Sequence, residues 1–441
     1  MPLPRPGRAS ARRVAPAPRQ RLARSPALLL LALLLPRASL ALGSFRELAP
    51  LPFARSDHTA TAMPDGLIYL IGGCDGAQTC DASGGRASSF CKCTSFTRNV
   101  AVYDAARDDY LNASAAPPPM SVPRYRHLAC AVRDLIVVFG GRDLATDALI
   151  TQVDAFNVTS RLWLPTGQLA PYPAGLGSDN SCSTVGDLIY VFGGYTQNYS
   201  VTLASAFSFA PLSGPAGVWT QLPASLLKGR GDFASVATAD GKVHIYGGYA
   251  VPDFCSPLAL HEVFDPAAMT FTAAPPLPAG LAEKDDGVDL GGVLLSIGGE
   301  TKSVATGCGD IDITPLRSFY AFSGANWTSI ATLPDARMRF ASAELGGTVY
   351  TFGGQGELVD AGSDFPFLPI LYSAFSFTLN NAPAAPPAPA PAAAPSFSAG
   401  DVAGAAIGSA LLALMLNASL GRWRQRTSGS DATRTHRLPL S

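Results

Sequence analysis

Six Gly-Gly doublets, at Gly72, Gly140, Gly193, Gly247, Gly298 and Gly353, recur along this 441-residue chain at intervals of 68, 53, 54, 51 and 55 residues. Each closes a short apolar run: Leu67-Ile-Tyr-Leu-Ile, Leu135-Ile-Val-Val-Phe, Leu188-Ile-Tyr-Val-Phe, Val243-His-Ile-Tyr, Val293-Leu-Leu-Ser-Ile and Val349-Tyr-Thr-Phe. Runs of four or five residues rich in β-branched and aromatic side chains read as fully buried strands. A glycine directly after such a strand lets the backbone turn sharply and pack where a side chain would clash.

A turn stands before each run (Asp65-Gly, Arg133-Asp, Gly186-Asp, Asp240-Gly, Gly291-Gly, Gly346-Gly), and before it another strand, such as Ala60 to Met63 or Ala341 to Leu345. That is a hairpin. After each doublet come a variable loop and an aromatic strand pair: Tyr103/Tyr110, Phe156/Trp163 and Phe264/Phe271, with Phe207/Trp219 and Phe322/Trp327 as looser versions. Four strands per unit, repeated six times, predict an all-β, six-bladed β-propeller. The last unit has three strands, ending at Leu371 to Phe377. The segment Ser44-Phe45-Arg46-Glu47-Leu48 is expected to supply the fourth, closing the ring and hiding an exposed edge.

The apolar run, Gly-Gly and downstream aromatic pair resemble the kelch repeat, over about residues 44–379. The resemblance implies fold and not function, since kelch propellers range from adaptors to enzymes.

Charge is segregated. Residues 1–43 carry eight Arg and no acid, and residues 421–441 carry five Arg and one Asp. Of 32 basic and 33 acidic residues this leaves 19 and 32 between them, a net of −13, which repels phosphate backbones; no nucleic-acid partner is expected. Residues 1–43 read as a secretory signal peptide, with Arg ahead of the apolar run Ala27 to Leu35 and small residues near Ala41 and Gly43. The long Arg-rich leader also fits an organellar transit peptide. Residues 380–400 form an Ala/Pro-rich linker. Residues 401–421 read as one transmembrane helix, and 422–441 as a short basic cytoplasmic tail. These segments predict a single-pass type I membrane protein of the cell surface or secretory pathway. Gly400, Gly404 and Gly408 fit a helix-mediated dimer, and fit equally the small-residue bias of the chain. Sequons at Asn112, Asn157, Asn198 and Asn326 are expected to face the lumen, whereas Asn417 lies in the spanning segment.

Loops leading into the first strands carry Arg55, Asp57 and His58; Arg124, Arg126 and His127; Asp179 and Asn180; Arg230 and Asp232; Glu283, Asp285 and Asp286; and Arg337 and Arg339. In such blades these loops share a face with those after Gly-Gly, so charges of both signs ring the mouth of a central channel. They suit a polar protein or glycan ligand, with Arg giving bidentate contacts. A structural role, holding neighbouring blades together, is the first expectation for any one of them. Arg230-Gly-Asp232 spells an adhesion tripeptide, but it falls in the slot of Arg55 and Arg337 and the repeat already explains it.

Eight Cys is an even number, as disulfides require. Cys74, Cys80, Cys91 and Cys93 crowd the loop of the first unit without zinc-site spacing, so two local disulfides are expected and no metal. Cys130 and Cys182 occupy matching strands, and Cys255 and Cys308 matching loops, so each pair is placed to join neighbouring blades. The resemblance raises enzyme readings too. Copper oxidases of this fold use two His, two Tyr and a crosslinked Cys, and the five His here are scattered. The iron-binding run of plant specifier kelch proteins is absent. A mutarotase-like Arg/Glu channel stays open. The expectation is a recognition module without cofactor, with a carbohydrate enzyme acting in the channel as the alternative.

Overall fold

The computed structural model describes residues 43–380 except 77, 82–89, 174–175, 283–286, 303–307 and 360–365. The expected signal peptide, linker, spanning helix and tail, with Asn417, lie outside these residues, as do Glu283, Asp285 and Asp286. Among the described residues no helix is long and apolar enough to cross a membrane.

The chain builds one antiparallel sheet per repeat. The first holds Thr59–Ala62, Leu67–Ile71, Val100–Asp104 and Asp109–Tyr110 in sequence order. The next four sheets open on Tyr125–Val132, Ser181–Val185, Gly231–Ala237 and Val288–Leu290, and the sixth on Ala341–Leu345. These six opening strands touch one another in cyclic order, the last against the first, so they line a central axis. In the fifth sheet Ile313–Phe322 and Trp327–Arg337 form a long hairpin, and Glu300–Lys302 adds to its edge.

The sixth sheet takes its outer strand from the start of the described chain. Gly43–Glu47 pairs antiparallel with Ala374–Leu379, with Phe45 opposite Phe377. The segment expected to close the ring does so, one residue earlier than its predicted bounds.

Side chains on a strand alternate between faces. In Leu67–Ile71, Ile68 and Leu70 pack towards the sixth sheet, and Tyr69 and Ile71 towards the second. Every sheet is shared in this way, giving six apolar clusters among the described residues, each between two neighbours. No sheet has a core of its own, which is why the runs before Gly-Gly are apolar at nearly every position. The aromatic pairs Tyr103/Tyr110, Phe156/Trp163, Phe264/Phe271 and Phe322/Trp327 sit directly opposite each other. One expected pair is corrected. Trp219 lies opposite Phe209, its ring stacked at 4.3 Å, while Phe207 faces Gln221; the two Phe share one face of the strand, and the register of the hairpin selects the later one.

All eight Cys are paired: Cys74–Cys93, Cys80–Cys91, Cys130–Cys182 and Cys255–Cys308. The first two brace the loop of the first sheet. The others tie the second sheet to the third and the fourth to the fifth.

Phe45 packs against Phe377 at 4.9 Å and Phe319 at 5.4 Å, so it fastens the closing strand to two sheets at once. Because it is half-buried, Phe45→Ala is expected to cost about 2 kcal/mol, and replacing residues 44–48 by a Gly/Ser segment to lower the unfolding temperature of the whole ring. An unchanged thermal transition in the replacement would refute closure by this strand.

A capped channel mouth as the candidate functional site

The mouth is built from three positions that recur among the described repeats. The first is the arginine of the leading loop. Arg55, Arg124, Arg230 and Arg337 are wholly buried and point into their own sheets. Arg55 donates to the carbonyls of Leu70 and Asn99, each at 3.2 Å. Arg124 reaches the Gly140 and Gln152 carbonyls and the Asp154 carboxylate at 2.8 Å. Arg337 reaches the Gly353 and Ser373 carbonyls and Asp335, and Arg230 pairs with Glu262 at 2.6 Å. For these four side chains the expected role between blades is corrected: each guanidinium clamps the second and third strands of one sheet. Burial lowers Arg55 and Arg124 to about 10, so both stay charged. Arg230 of the adhesion-like tripeptide is inaccessible to a receptor.

The second position lies two residues on. Asp57, Arg126, Asp179, Asp232 and Arg339 all take left-handed backbone angles, with φ between 52° and 58°. That conformation is costly for a residue with a Cβ and turns the N–H along the ring. Asp57 N–H donates to the Arg339 carbonyl at 2.8 Å, Arg126 N–H to Asp57 at 3.2 Å and Asp232 N–H to Asp179 at 3.0 Å, each crossing to the preceding sheet. Their side chains meet over the axis. Arg126 lies 3.5 Å from Asp57 and 2.9 Å from Asp179.

The third position follows each doublet, and nothing in the charge pattern pointed to it. Cys74, Arg142, Tyr195, Tyr249, Glu300 and Gln355 are all buried here. Tyr195 donates to Asp232 at 2.7 Å, Tyr249 to Glu300 at 3.0 Å, and Glu300 lies 3.6 Å from Arg339. The signal in the sequence was positional: one residue fixed directly after every Gly-Gly.

A lid covers this network. The loop of the first sheet, braced by its two disulfides, runs as Gln78–Asp81 paired to Phe90–Cys93. It pairs with Phe367–Leu368 of the sixth repeat, and Cys91 N–H donates to Asp310 of the fifth at 2.9 Å. From it Gln78 reaches down, accepting from Arg339 at 2.9 Å and donating to Asp57 at 3.4 Å.

The histidines are packing groups. His58 and His127 directly follow ring residues, where Phe233 and Phe340 stand in the fourth and sixth repeats. Phe233 lies against Gly193 and Phe340 against Gly298, and His127 lies likewise against Gly72 and His58 against Gly353. Asn180, in the same slot, is held by Tyr172 at 3.0 Å. Burial, then Arg124, pushes His127 down to about 3, and burial, then Arg55 and His127, holds His58 well below its ordinary value. Unfolded, both titrate near 6.5, so the unfolded chain binds more protons between those values. Their contribution is whole above about pH 6.5 and is lost as pH falls towards about 3. The urea midpoint is expected to drop between pH 7.5 and pH 5, and to drop less in the double variant His58→Phe/His127→Phe. An equal drop in both proteins would contradict this.

Of the sequons, Asn112, Asn198 and Asn326 are exposed, while Asn157 is half-buried and donates to Asp134 at 2.6 Å. Among the described residues no cluster of three or more His, Cys, Asp or Glu is placed to hold a metal.

No protein-family model matches the chain. It is 27% identical over 258 residues to the Kelch-like protein terF of Aspergillus terreus (strain NIH 2624 / FGSC A1156), a match that covers 55% of this chain and 52% of that protein. The chain thus spans about half the length of this curated relative. Among solved structures it is similar to YjhT, with a TM-score of 0.55 and 14% identity over 74% of this chain and 96% of that one. That likeness bears on the fold alone. With the six-fold Gly-Gly repeat and the cyclic sheets, these likenesses support a kelch-type β-propeller fold for the chain.

Proposed function

We propose that this chain is a six-bladed kelch propeller serving as a recognition module for a protein or glycan partner. In this reading it is carried on a single-pass type I anchor at the cell surface or in the secretory pathway, and bears glycans on exposed sequons. The observation that carries the proposal is the lid over the mouth. An enzyme in the channel would need an acid and an arginine converging on space for a substrate. Arg339 and Glu300 do converge, but they are 2% and 1% exposed beneath Gln78. Arg339 is held by Gln78, and Glu300 by Tyr249 and Arg339, beneath that cover, which suits architecture better than turnover.

What remains for a partner is the outer surface of the loops at the Gly-Gly end. There Phe53 is 59% and Tyr372 56% exposed, on two segments joined by the hydrogen bond from Leu51 N–H to the Tyr372 carbonyl. Exposed aromatics on rigid loops are efficient anchors for a partner. The test is cross-linking with proximity labelling, together with a glycan array, on wild type and Phe53→Ser/Tyr372→Ser. The expected result is a partner mapped to these loops whose binding weakens about tenfold in the double variant. Faster interconversion or oxidation of free sugars by the purified protein would favour the channel enzyme and overturn the proposal.

A further inference from the structure

A cleft of about 840 Å³ opens between the fourth and fifth sheets, at the hairpin-turn end, opposite the capped mouth. Its walls include His244, Asp240 and Thr272 of the fourth repeat and Val293 and Phe322 of the fifth. The size suits a small ligand.

The hydrogen bonds around His244 fix its tautomer. A carbonyl can only accept, so His261 Nδ1, 3.0 Å from the Pro275 carbonyl, carries a proton. The other nitrogen of neutral His261, Nε2, is then an acceptor. It lies 2.8 Å from His244 Nδ1, which must therefore be the donor. His244 Nε2 is left as a lone-pair acceptor, with no partner among the described residues. Burial keeps both rings neutral, pushing His261 down to about 4 and lowering His244 as well. The relay is held by aromatic packing: Phe322 meets His261 edge-on at 4.9 Å, and Trp327 shares the Pro275 carbonyl at 3.2 Å.

Charges in the cleft are balanced. Lys242 leans on Asp265 at 3.6 Å. Asp240 accepts through one oxygen from Thr238 at 2.6 Å and from the Lys242 N–H at 3.3 Å, leaving its second oxygen without a partner among the described residues. The site thus offers two unengaged acceptors, a hydroxyl on Thr272, and an apolar wall of Val293 and Phe322. An anion would meet Asp240, and a cation would find its counter-charge already half engaged.

We infer that this cleft binds a neutral sugar ring, with His244 Nε2 and Asp240 accepting from its hydroxyls and Phe322 and Val293 covering its C–H face. The nearby turn from Ser323 to Asn326 carries the exposed Asn326 sequon, so the sugar has two sources. It belongs either to a separate molecule or to a glycan on Asn326 itself. The inference uses no residue of the proposed recognition loops and stands or falls separately from them.

The test is saturation-transfer NMR on the full-length chain, using the methyl glycosides of glucose, mannose, galactose and N-acetylglucosamine as probes. Wild type and Asn326→Gln are compared first. Binding by both assigns a separate sugar, and binding by Asn326→Gln alone assigns the chain's own glycan; either supports the site. His244→Ala and Asp240→Asn, each made in the binding form, are expected to weaken the affinity about tenfold or more. Asp240 lies on an exposed turn, so its variant keeps the test decisive if His244→Ala fails to fold. No transfer from any glycoside to either form, or transfer that survives both substitutions, would overturn the inference.

Discussion

The propeller depends on the approach of two backbones at its Gly-Gly doublets. At four of the six, the second glycine of one sheet donates its N–H to the leading-loop arginine carbonyl of the next. Gly73 donates to Arg124 at 2.9 Å, Gly194 to Arg230 at 2.8 Å, Gly299 to Arg337 at 3.1 Å and Gly354 to Arg55 at 2.7 Å. A Cβ on the first glycine would press on the same loop: it would stand 3.0 Å from the Arg124 carbonyl at Gly72 and 2.8 Å from the Arg337 carbonyl at Gly298. Both glycines also hold positive φ, which other residues adopt only at a cost. The arginine whose carbonyl is grasped is the one whose guanidinium clamps its own sheet. One residue thus carries the link between sheets on its backbone and the link within a sheet on its side chain.

That division explains which parts of the molecule were legible in the sequence. The strands, the closing segment and the pairing of Cys130 with Cys182 follow from periodicity, because each repeat predicts its neighbour. The arginine positions were visible, but their direction was not. A charged residue in a loop reads as exposed until the carbonyls of Leu70 and Asn99 are seen around it. The left-handed turns at Arg126 and Arg339 were illegible for the opposite reason: arginine has no preference for that conformation, and the ring imposes it. The lid was out of reach, since Gln78 meets Arg339 261 residues away and no local pattern encodes so distant a contact. The same holds for the His244–His261 relay, which exists because neighbouring strands put the two rings side by side.

The account of function follows from what the joints use up. Ring charges that suited a ligand by composition are held by one another, by residues after the doublets and by the lid. The surfaces left open are the outer loops at one end and the cleft between the fourth and fifth sheets at the other. A scaffold whose axis is filled with structural polar contacts leaves ligand recognition, as proposed above, to its rim and the gaps between its blades. This is how one repeat architecture changes partner without changing its core.

Thermal unfolding of two glycine variants tests the joint most directly. Gly353 and Gly292 both have positive φ, at 60° and 89°, but a Cβ at Gly353 meets the Arg55 carbonyl of the first sheet, whereas at Gly292 nothing lies within 4 Å. Backbone strain alone costs about 1 kcal/mol at either site, and the clash at the joint adds about 1–3 kcal/mol. The account predicts a much larger fall in unfolding temperature for Gly353→Ala than for Gly292→Ala, with the whole ring still melting as one transition. Equal falls in the two variants would contradict it.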